Sequence, residues 1–426
     1  MKVLVVGSGG REHALVWKLA GDRCRPHVFC APGNAGTDGP ATNVAIGAED
    51  LDGLLAWARE NRPDLTVVGP EAPLCAGIAD RFDAAGLRVF GPSQAAARLE
   101  GSKVFAKDVM TAGGVPTARA RVFTDAAEAR EYARAAGAPV VVKADGLAAG
   151  KGVLVCPSVE EAERAIGLIM VEKAFGAAGE RVLVEDSLAG EEASILALTD
   201  GETVVMLASS QDHKRALDGD AGPNTGGMGA YSPAPVITDA LWPVIREEVF
   251  GRTLAELKKR GISYRGVLYA GLMLTGDGPR VLEFNCRFGD PETQAILPRI
   301  GGDLIPVLEA CAQGTLAEDT IEWRPEACVC VVMASGGYPG SYEKGKVIHG
   351  LAEANGGDGV VVFHAGTRRQ GDEVVTAGGR VLGVTALGDD LPAAVERTYR
   401  AVSAIDFDGA QYRTDIAARA LGRIQT

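Results

Sequence analysis

Short apolar runs alternate with helical stretches along residues 1 to 100. The runs KVLVV, PHVFC, LTVVG and LRVFG are separated by segments such as GREHALVWKLA and ADRFDAAG. Strands that alternate with helices in this way predict a parallel sheet covered by helices. Ligands bind at the carboxyl ends of such strands, where the chain reads GSGGREH, APGNAG and GPEAPL.

The pattern changes twice further along the chain. From GSKVFAKDVMTAGGVP to about residue 323, strands alternate with longer helices and glycine-rich loops. After EWRPEA come CVCVVMAS, VVFHAG and GRVLGVTAL, short strands bounded by Gly and Pro, and a closing helix near LPAAVERTYRAVSAI. A chain of 426 residues is too long for one core. We therefore expect an α/β protein with a Rossmann-like domain over 1–101, a second unit over 102–323 and a small β-rich domain over 324–426.

One predicted strand carries an alternation of polar and apolar groups. Residues 282–294 read LEFNCRFGDPETQ, so Glu283, Asn285 and Arg287 would share one face, and the Phe, Cys and Phe between them would face a core. Carboxylate and amide oxygens suit Mg²⁺ held together with substrate phosphates better than zinc. Arg287 suits charge on a transferring phosphoryl group. The alternative is a solvated strand face with an ordinary salt bridge.

The first glycine-rich loop, GSGGREH, lies between a predicted strand and a predicted helix. Gly9, Gly10 and the helix N-terminus are suited to accept a phosphate, and Arg11 adds positive charge. The loop fails as a dinucleotide fingerprint, because Glu12 replaces the last glycine and no acid follows about twenty residues later. A tight structural turn and a monophosphate site remain the two interpretations.

A second glycine-rich loop, VVKADGLAAGKG, has Lys143 on the strand before it and Lys151 near its end. Two lysines that flank glycines suit a polyphosphate, because backbone amides approach closely where no side chain intervenes. The loop is not a P-loop, since Gly152 stands where Ser or Thr is needed. An ordinary surface turn is the alternative.

Two further segments have the composition of nucleotide-binding loops. VLVEDSLAGEEAS predicts a strand, a hinge and another strand; the hinge offers backbone groups to an adenine edge and Glu192 to a ribose, although a solvated acidic loop is the alternative. The segment 209–233 places Asp212, Lys214 and Arg215 before a loop with five glycines. Long glycine-rich loops in compact proteins are usually functional or disordered, and the adjacent charges and strands favour function here.

Composition narrows the class of protein. A net charge of −13 gives no general attraction to nucleic acid, so anionic ligands need local basic groups. No apolar run approaches the ~20 residues of a membrane helix. The opening MKVLVVGSGGREH predicts a first strand rather than a signal peptide, which indicates a cytoplasmic protein. The eight cysteines form no CxxC pair or secreted framework, so we expect free thiols.

Many motifs in order resemble one family. GSGGREHAL, APGNAGT, VGPEAPL, VVKADGLAAGKGV, SQDHKR, GPNTGGMGAYSPAP, LEFNCRFGDPETQ, ASGGYPG and VFHAGT span the chain and resemble the bacterial glycinamide ribonucleotide synthetases. The resemblance implies a central ATP-grasp domain that binds ATP with Mg²⁺, or alternatively Mn²⁺. It also implies that glycine forms glycyl phosphate and is then joined to 5-phosphoribosylamine bound by the N-terminal domain. Related enzymes carry a further acid on the strand before the metal ligands, where this chain reads YAGLML.

The resemblance also implies roles for individual residues. Those implied for the nucleotide are Lys103, Lys143, Gly150, Lys151 and Gly152 at the phosphates, Glu185 and Leu188 at the adenine hinge, Glu192 at the ribose, and Lys214, Arg215 and Asn224 elsewhere in the pocket. Those implied for chemistry and substrates are Glu283 and Asn285 for metal, Arg287, Asp212 and Asp290 for catalysis, and Gly9, Gly10, Arg11, Asn34 and Glu71 for phosphoribosylamine.

Three rival interpretations remain at this level. A carboxylase of aminoimidazole ribonucleotide is disfavoured by QDHKR and GPNTGGMG, and an NAD-dependent oxidoreductase by the failed fingerprint. A non-catalytic nucleotide-binding protein has no use for Arg287 together with two magnesium ligands. The resemblance further implies a monomer that acts on small molecules without nucleic-acid or membrane partners.

Overall fold

The computed structural model describes residues 1–148 and 152–424. Its N-terminal region forms the predicted parallel sheet, with strand order β3-β2-β1-β4-β5. The strands are β1 (Lys2–Gly7), β2 (His27–Pro32), β3 (Thr42–Asn43), β4 (Leu65–Val68) and β5 (Val89–Phe90). The helices are α1 (Gly10–Ala20), α2 (Leu51–Asn61), α3 (Glu71–Cys75), α4 (Ile78–Ala84) and α5 (Gln94–Gly101).

The central strand β1 is apolar throughout because both of its faces are covered. Val3 and Val5 pack in one core cluster with α1, whereas Leu4 and Val6 pack in another with α2. A continuous apolar run is typical of a parallel strand between two helical layers. The glycines that end β1 lead directly into α1, so the GSGGREH loop lies at the carboxyl edge of the sheet.

The central region contains two antiparallel sheets, which we call the first and second lobes. The first lobe has strand order β6-β9-β7-β8 and the second β11-β10-β16-β17. First-lobe strands and helices are β6 (Ala120–Phe123), α7 (Ala126–Ala136), β7 (Val140–Ala144), β8 (Val153–Cys156), α8 (Val159–Ile166) and β9 (Val182–Asp186), preceded by α6 (Lys103–Gly113). Second-lobe strands and nearby helices are β10 (Glu191–Thr199), β11 (Val204–Met206), α9 (Leu241–Val244), α10 (Arg252–Lys259), β16 (Gly266–Thr275), β17 (Gly278–Asn285), α11 (Glu292–Ile296) and α12 (Ile305–Gln313).

The C-terminal sheet includes two strands that belong to the central region in sequence. Its order is β12-β15-β18-β22-β19, and β12 and β15 flank the long glycine-rich loop. Its strands are β12 (Gln211–Asp212), β15 (Gly229–Ser232), β18 (Ala327–Ala334), β19 (Val360–His364) and β22 (Arg380–Gly388). Two hairpins and three helices complete the fold: β13 (Arg215–Leu217) with β14 (Ala221–Asn224), β20 (Thr367–Gln370) with β21 (Glu373–Thr376), α13 (Leu351–Asn355), α14 (Leu391–Ser403) and α15 (Ala418–Ile424).

Short irregular helices connect several of these elements. The π-helical segments are Gly167–Val171 and Ile245–Gly251, and the 3₁₀ segments are Gly176–Gly179, Asp218–Asp220 and Leu297–Arg299. The mixed α/β class, the parallel N-terminal sheet and the β-rich C-terminal part with its closing helix are confirmed. The expected domain boundaries stay predictions, because the shared sheet ties residues 211–232 to the C-terminal strands.

All eight cysteines are free thiols, as expected, and six of them are buried. None of the helices in the described ranges is long and apolar enough to cross a membrane.

Candidate active site

The alternation predicted for residues 283 to 288 is present. The side chains of Glu283, Asn285 and Arg287 are partly exposed, whereas the Phe, Cys and Phe between them are buried. Strand β17 ends at Asn285, so Arg287 lies just beyond the strand, and its Nη2 donates to Asn285 Oδ1 at 3.2 Å. The polar groups therefore form one continuous surface.

Arg287 is held between two carboxylates of the N-terminal region. Its Nε donates to Glu71 Oε2 at 3.2 Å, and its Nη2 to Glu100 Oε1 at 2.8 Å. Its Nη1 donates to the carbonyl of Phe288 at 3.2 Å. Although burial opposes its charge, the carboxylates of Glu100 and Glu71 raise the pKa of Arg287. Glu71, predicted to hold phosphoribosylamine, is thus also a partner of the predicted catalytic arginine.

Glu283 is ionised and surrounded by lysines. Its Oε2 lies 3.6 Å from Lys103 Nζ. Burial opposes ionisation, but the ammonium groups of Lys103, Lys214 and Lys143 hold the pKa of Glu283 at about 2. Among residues 1–148 and 152–424, no three His, Cys, Asp or Glu side chains are grouped to hold a metal ion. Glu283 and Asn285 nevertheless fit Mg²⁺, because this ion is usually held by one or two protein oxygens and completed by phosphates and water.

Lys143 belongs to a buried ion-pair cluster that joins the two lobes. Its Nζ lies 2.8 Å from Glu185 Oε2 and donates to the carbonyl of Leu282 at 2.9 Å. Lys107, which the sequence did not single out, contributes a second ammonium 3.2 Å from Glu185 Oε1. The Glu185 side chain is therefore committed to two lysines, and only its backbone is left to serve as the predicted adenine hinge.

Asp212 and Lys214 lie together near Glu192. Lys214 Nζ is 2.6 Å from Glu192 Oε2, so the residue predicted to meet a ribose is paired with lysine in this structure. Burial raises the pKa of Asp212 to about 7; the Lys214 ammonium opposes this shift, and the carboxylates of Glu292 and Glu192 add to it. One ammonium thus serves several carboxylates, and Asp212 can gain or lose a proton near neutral pH.

A hydrogen-bonded group behind Asp212 was not predicted. Tyr269 donates from its hydroxyl to Glu292 Oε1 at 2.6 Å, and the Ser194 hydroxyl lies 2.8 Å from that of Tyr269. Tyr269 stands on β16 in the YAGLML segment, where Gly271 is the residue opposite Glu283. Gly271 has no side chain, so β16 supplies no acid opposite Glu283. A tyrosine within a buried apolar strand gives no sequence signal of this role.

Two of the predicted nucleotide residues lie on the β13–β14 hairpin, and a third lies on the connection between β9 and β10. Arg215 and Asn224 face each other across the β13–β14 hairpin. The Arg215 side chain is exposed and donates from Nη1 to the carbonyl of Gly222 at 2.7 Å. Leu188 is partly buried between β9 and β10. The structure does not bring Arg215 into contact with the lysine cluster in the described residues.

The predicted phosphate loop lies partly outside the described residues. Gly150 and Lys151 fall outside, and Gly152 is the first described residue after them. A β-carbon at Gly152 would lie 2.7 Å from the Cβ of Ala148, so the loop closes tightly there. The Gly152 carbonyl accepts a hydrogen bond from the Ala144 amide at 2.8 Å, which fixes the loop base to β7.

The N-terminus of α1 is partly closed by its own residues. The Gly9 amide donates to Glu12 Oε2 at 2.5 Å, and Arg11 Nε lies 2.5 Å from Glu12 Oε1. Arg11 also donates from Nη1 to the carbonyl of Phe288 at 3.1 Å, which links the loop to the Arg287 segment. The predicted phosphoribosylamine residues Gly9 and Arg11 therefore lie beside the polar surface that follows β17.

The side chain of Asn34 is held by hydrogen bonds to backbone groups of other segments. Its side-chain amide donates to the carbonyls of Ser8 at 2.9 Å and of His364 at 2.8 Å. Its Oδ1 accepts from the amides of Gly36 and Thr37 at 2.8 and 3.1 Å. Asn34 thus ties the GSGGREH loop to the C-terminal region, and its contact with phosphoribosylamine stays a prediction.

Asp290 lies where the N-terminal, central and C-terminal regions meet. Its Oδ1 accepts from Gln294 Nε2 at 2.8 Å, and its Oδ2 lies 3.3 Å from Arg380 Nη2. A β-carbon at Gly9 would lie 3.4 Å from Asp290 Oδ2, and one at Gly10 would lie 2.6 Å from Gln294 Nε2. The two glycines therefore let the α1 loop approach Asp290 closely. Neither Gln294 nor Arg380 was predicted.

The two lobes and their facing groups define the class of protein. Lys103 of α6 and Lys143 of the first lobe meet the Glu283 carboxylate and the Leu282 carbonyl of β17 in the second lobe, an arrangement typical of an ATP-grasp enzyme. The profile of the phosphoribosylglycinamide synthetase ATP-grasp (A) domain matches residues 101–293, that of the N domain matches 1–100, and that of the C domain matches 328–419. The chain belongs to the phosphoribosylglycinamide synthetase family.

Individual relatives are similar over their whole length. A phosphoribosylamine–glycine ligase of Yersinia pestis is 52% identical over 99% of this chain and 100% of its own. One of Vibrio cholerae is 51% identical over all of both chains. The crystal structure of a phosphoribosylamine–glycine ligase from Thermotoga maritima superposes with a TM-score of 0.86 at 35% identity, covering 98% of this chain and 100% of that one.

More distant structures share the fold alone. A biotin carboxylase from Campylobacter jejuni has a TM-score of 0.75 at 15% identity and covers 96% of this chain and 92% of its own. Family membership removes the oxidoreductase interpretation, and the whole-chain identity favours the ligase over a carboxylase.

Proposed function

We propose that the chain joins glycine to 5-phosphoribosylamine at the expense of ATP, giving glycinamide ribonucleotide, ADP and phosphate in purine biosynthesis. The observation that carries the proposal is the Arg287 site: an arginine fixed by Glu71 and Glu100 lies directly after the side chains of Glu283 and Asn285 on β17, which we propose as metal ligands. A binding protein without chemistry has no need for a fixed cation beside a metal-binding strand. The identity of the two substrates is inferred from the relatives, which are named phosphoribosylamine–glycine ligase.

The first step forms an acyl phosphate. A carboxylate oxygen of glycine attacks the γ-phosphorus of ATP, the bond to the bridging oxygen breaks, and ADP leaves. Arg287 stabilises the charge that develops on the transferred group, while Lys103 and Lys143 hold the phosphates. Bound Mg²⁺ would be held by Glu283 and Asn285 and would neutralise phosphate charge. ATP and Mg²⁺ are general to the ATP-grasp family, and these ligands are our proposal for this chain.

The second step forms the amide. The amine of 5-phosphoribosylamine attacks the carbonyl carbon of glycyl phosphate, phosphate leaves, and the nitrogen loses a proton. Asp212 is the proposed acceptor, because burial raises its pKa to about 7, close to the value at which a general base is effective. Gly9, Gly10 and Arg11 lie beside the segment that follows Arg287 and contains Asp290, and we propose that these residues and Asp290 hold the phosphoribosylamine.

Substrate-dependent ADP release tests the proposal. The purified protein is given Mg-ATP with glycine and 5-phosphoribosylamine together, singly and not at all. We expect ADP release to require both substrates, with one ADP for each glycinamide ribonucleotide. Release that instead follows bicarbonate and aminoimidazole ribonucleotide would assign the chain to a sister enzyme. We also propose that the protein is a cytoplasmic monomer, which sedimentation and cell fractionation test.

A further inference from the structure

Arg380 reaches from the C-terminal sheet into the candidate active site. It is the first residue of β22, and its guanidinium contacts two loops of the central region. Nη1 donates to the carbonyl of Gly226 at 2.5 Å and to the carbonyl of Asp290 at 2.8 Å. Nη2 lies 3.3 Å from Asp290 Oδ2. One side chain therefore fixes the backbone of both loops and the carboxylate of one.

The two loops have the shape that this contact requires. A β-carbon at Gly226 would lie 3.0 Å from Arg380 Cζ, so glycine at this position lets the guanidinium approach the backbone. At Gly227, where φ is +111°, a β-carbon would lie 2.4 Å from Pro291 Cδ. The GPNTGG and GDPE loops are thus packed against each other beneath Arg380, and neither has room to shift alone.

The contact with Arg380 favours the ionised form of the Asp290 carboxylate. Burial opposes ionisation, but Arg380 above all, then Arg11 and the Gln294 amide, lower the pKa of Asp290. The groups that face it are Arg380 from β22, Gln294 from α11 and Gly9 before α1. Arg287 lies near enough to add a smaller favourable effect. From the C-terminal sheet, the thiol of Cys330 on β18 lies near enough to interact electrostatically with Asp290, and Arg380 supplies the salt bridge.

We propose that Arg380 is a positioning residue for the phosphoribosylamine half of the reaction: it fixes Asp290, in its ionised form, against the α1 loop. The inference rests on the proposed function and assigns the C-terminal region a part in substrate binding. The hydrogen bonds and the salt bridge of the Arg380 side chain go to Gly226 and Asp290 rather than to Arg287 or Glu283, so formation of the acyl phosphate does not depend on it directly. Phosphoribosylamine binding and amide formation do depend on Arg380.

Two variants and a matched control test the role. Arg380→Lys keeps the charge but loses the planar fork that contacts both loops, and Arg380→Met loses both. Arg397→Met is the control, because Arg397 is a partly buried arginine of α14 that donates to the carbonyl of Leu387 at 2.6 Å and does not contact Asp290. Gly226→Ala displaces the guanidinium without removing it, and serves if both Arg380 variants fail to fold.

Two assays separate the half-reactions. Glycyl phosphate formation is measured without phosphoribosylamine by trapping the acyl group as glycine hydroxamate with hydroxylamine. Amide formation is measured as kcat/KM for phosphoribosylamine. In Arg380→Met we expect kcat/KM to fall about 100-fold, the effect of misplacing a substrate-binding group by about 1 Å. Hydroxamate formation should change less than about threefold, and Arg397→Met should resemble wild type in both assays.

The pH profile and a double variant exclude a merely structural role. Because Arg380 favours ionised Asp290, its loss raises the pKa of that carboxyl, so on the acid side of the limb set by Asp212 kcat/KM should fall more steeply with decreasing pH in Arg380→Met than in wild type. In an Asp290→Asn background, Arg380→Met should add little further loss, because the two residues act together.

The possible failures are distinguishable. Equal losses in both assays, additive effects with Asp290→Asn, or an acid slope of the pH profile that is the same as in wild type would overturn the positioning role. A wild-type protein that releases no ADP when glycine, 5-phosphoribosylamine and Mg-ATP are supplied together would instead contradict the proposed function itself.

Discussion

The guanidinium of Arg287 lies 2.8 Å from the carboxylate of Glu100, although the two residues are separated by 187 positions in the chain. Glu100 lies in the last turn of α5, the last helix of the N-terminal region, and Arg287 follows β17 of the second lobe, which carries the proposed metal ligands. The contact therefore joins the proposed phosphoribosylamine region to the proposed phosphoryl-transfer site. Arg287 can be correctly oriented only when these two regions are docked.

Arg287→Lys should reduce turnover strongly while the protein stays folded. Lysine keeps one positive charge between Glu71 and Glu100 but cannot reproduce the several directed hydrogen bonds of the guanidinium. We expect kcat to fall about 100- to 1000-fold, the typical loss when a group that stabilises transition-state charge is removed. The control is Arg280→Lys on β17, the strand that precedes Arg287, and this variant should keep activity. Near-wild-type turnover of Arg287→Lys would remove this residue from the mechanism.

Glu283→Gln should abolish most magnesium-dependent turnover. The substitution removes the ionised oxygen of the proposed ligand pair and leaves Lys103, Lys143 and Lys214 without their shared carboxylate. The measurement is the rate of ADP release as a function of Mg²⁺ concentration, where the half-saturating concentration should rise. Glu309→Gln, on an exposed pair with Arg88, is the control. An unchanged magnesium dependence would show that the metal is held elsewhere.

Asp212→Asn should stabilise the fold at alkaline pH and inactivate the enzyme. The pKa of this carboxyl is raised from an ordinary value of 3.8 to about 7. Ionisation of Asp212 therefore lowers the free energy of unfolding. This destabilisation begins as the pH rises above the pKa of the carboxyl in the unfolded chain and is complete above about 7. Asn removes the ionisation, so its melting temperature should exceed that of wild type at pH 8 and approach it near pH 4. If the melting temperature of Asp212→Asn exceeded that of wild type by more at pH 4 than at pH 8, the raised pKa of Asp212 would be contradicted.

Glu185→Gln should destabilise the protein more than any exposed ion-pair variant. The change leaves the ammonium groups of Lys107 and Lys143 buried without a counter-charge. Breaking a buried pair in this way costs about 3–5 kcal/mol. Glu202→Gln is the control, because its pair with Lys258 is exposed and such pairs contribute about 0–1 kcal/mol. Chemical denaturation of both variants gives the comparison, and equal midpoints would refute the buried cluster.

The elements of the fold were predictable where the hydrophobic pattern is strong. The VLVV run specifies β1 because apolar groups are needed on both faces of a central parallel strand. The polar–apolar alternation from Glu283 to Phe288 predicts an extended segment, because successive side chains of a strand point to opposite faces. Strand β17 covers the first part of this segment and ends at Asn285. Local periodicity carries this information, so no knowledge of distant contacts is needed.

The contacts that complete the site were not predictable from local pattern. Lys107 reads as an ordinary helical lysine, and Tyr269 as an apolar strand residue, until folding places Glu185 and Glu292 beside them. Arg380 meets Asp290 from 90 positions away. The shared sheet of β12, β15 and β18 likewise depends on a pairing between distant segments. Burial and charge pairing across the chain decide such contacts, and a single sequence shows neither.

The most direct test of the mechanism follows one oxygen atom. Glycine labelled with oxygen-18 in its carboxylate is converted in the presence of ATP and 5-phosphoribosylamine, and the released phosphate is analysed by mass spectrometry. If the carboxylate attacks the γ-phosphorus, its attacking oxygen stays with phosphorus, so one labelled oxygen should appear in each phosphate. Unlabelled phosphate, with glycinamide ribonucleotide still formed, would contradict a glycyl phosphate intermediate.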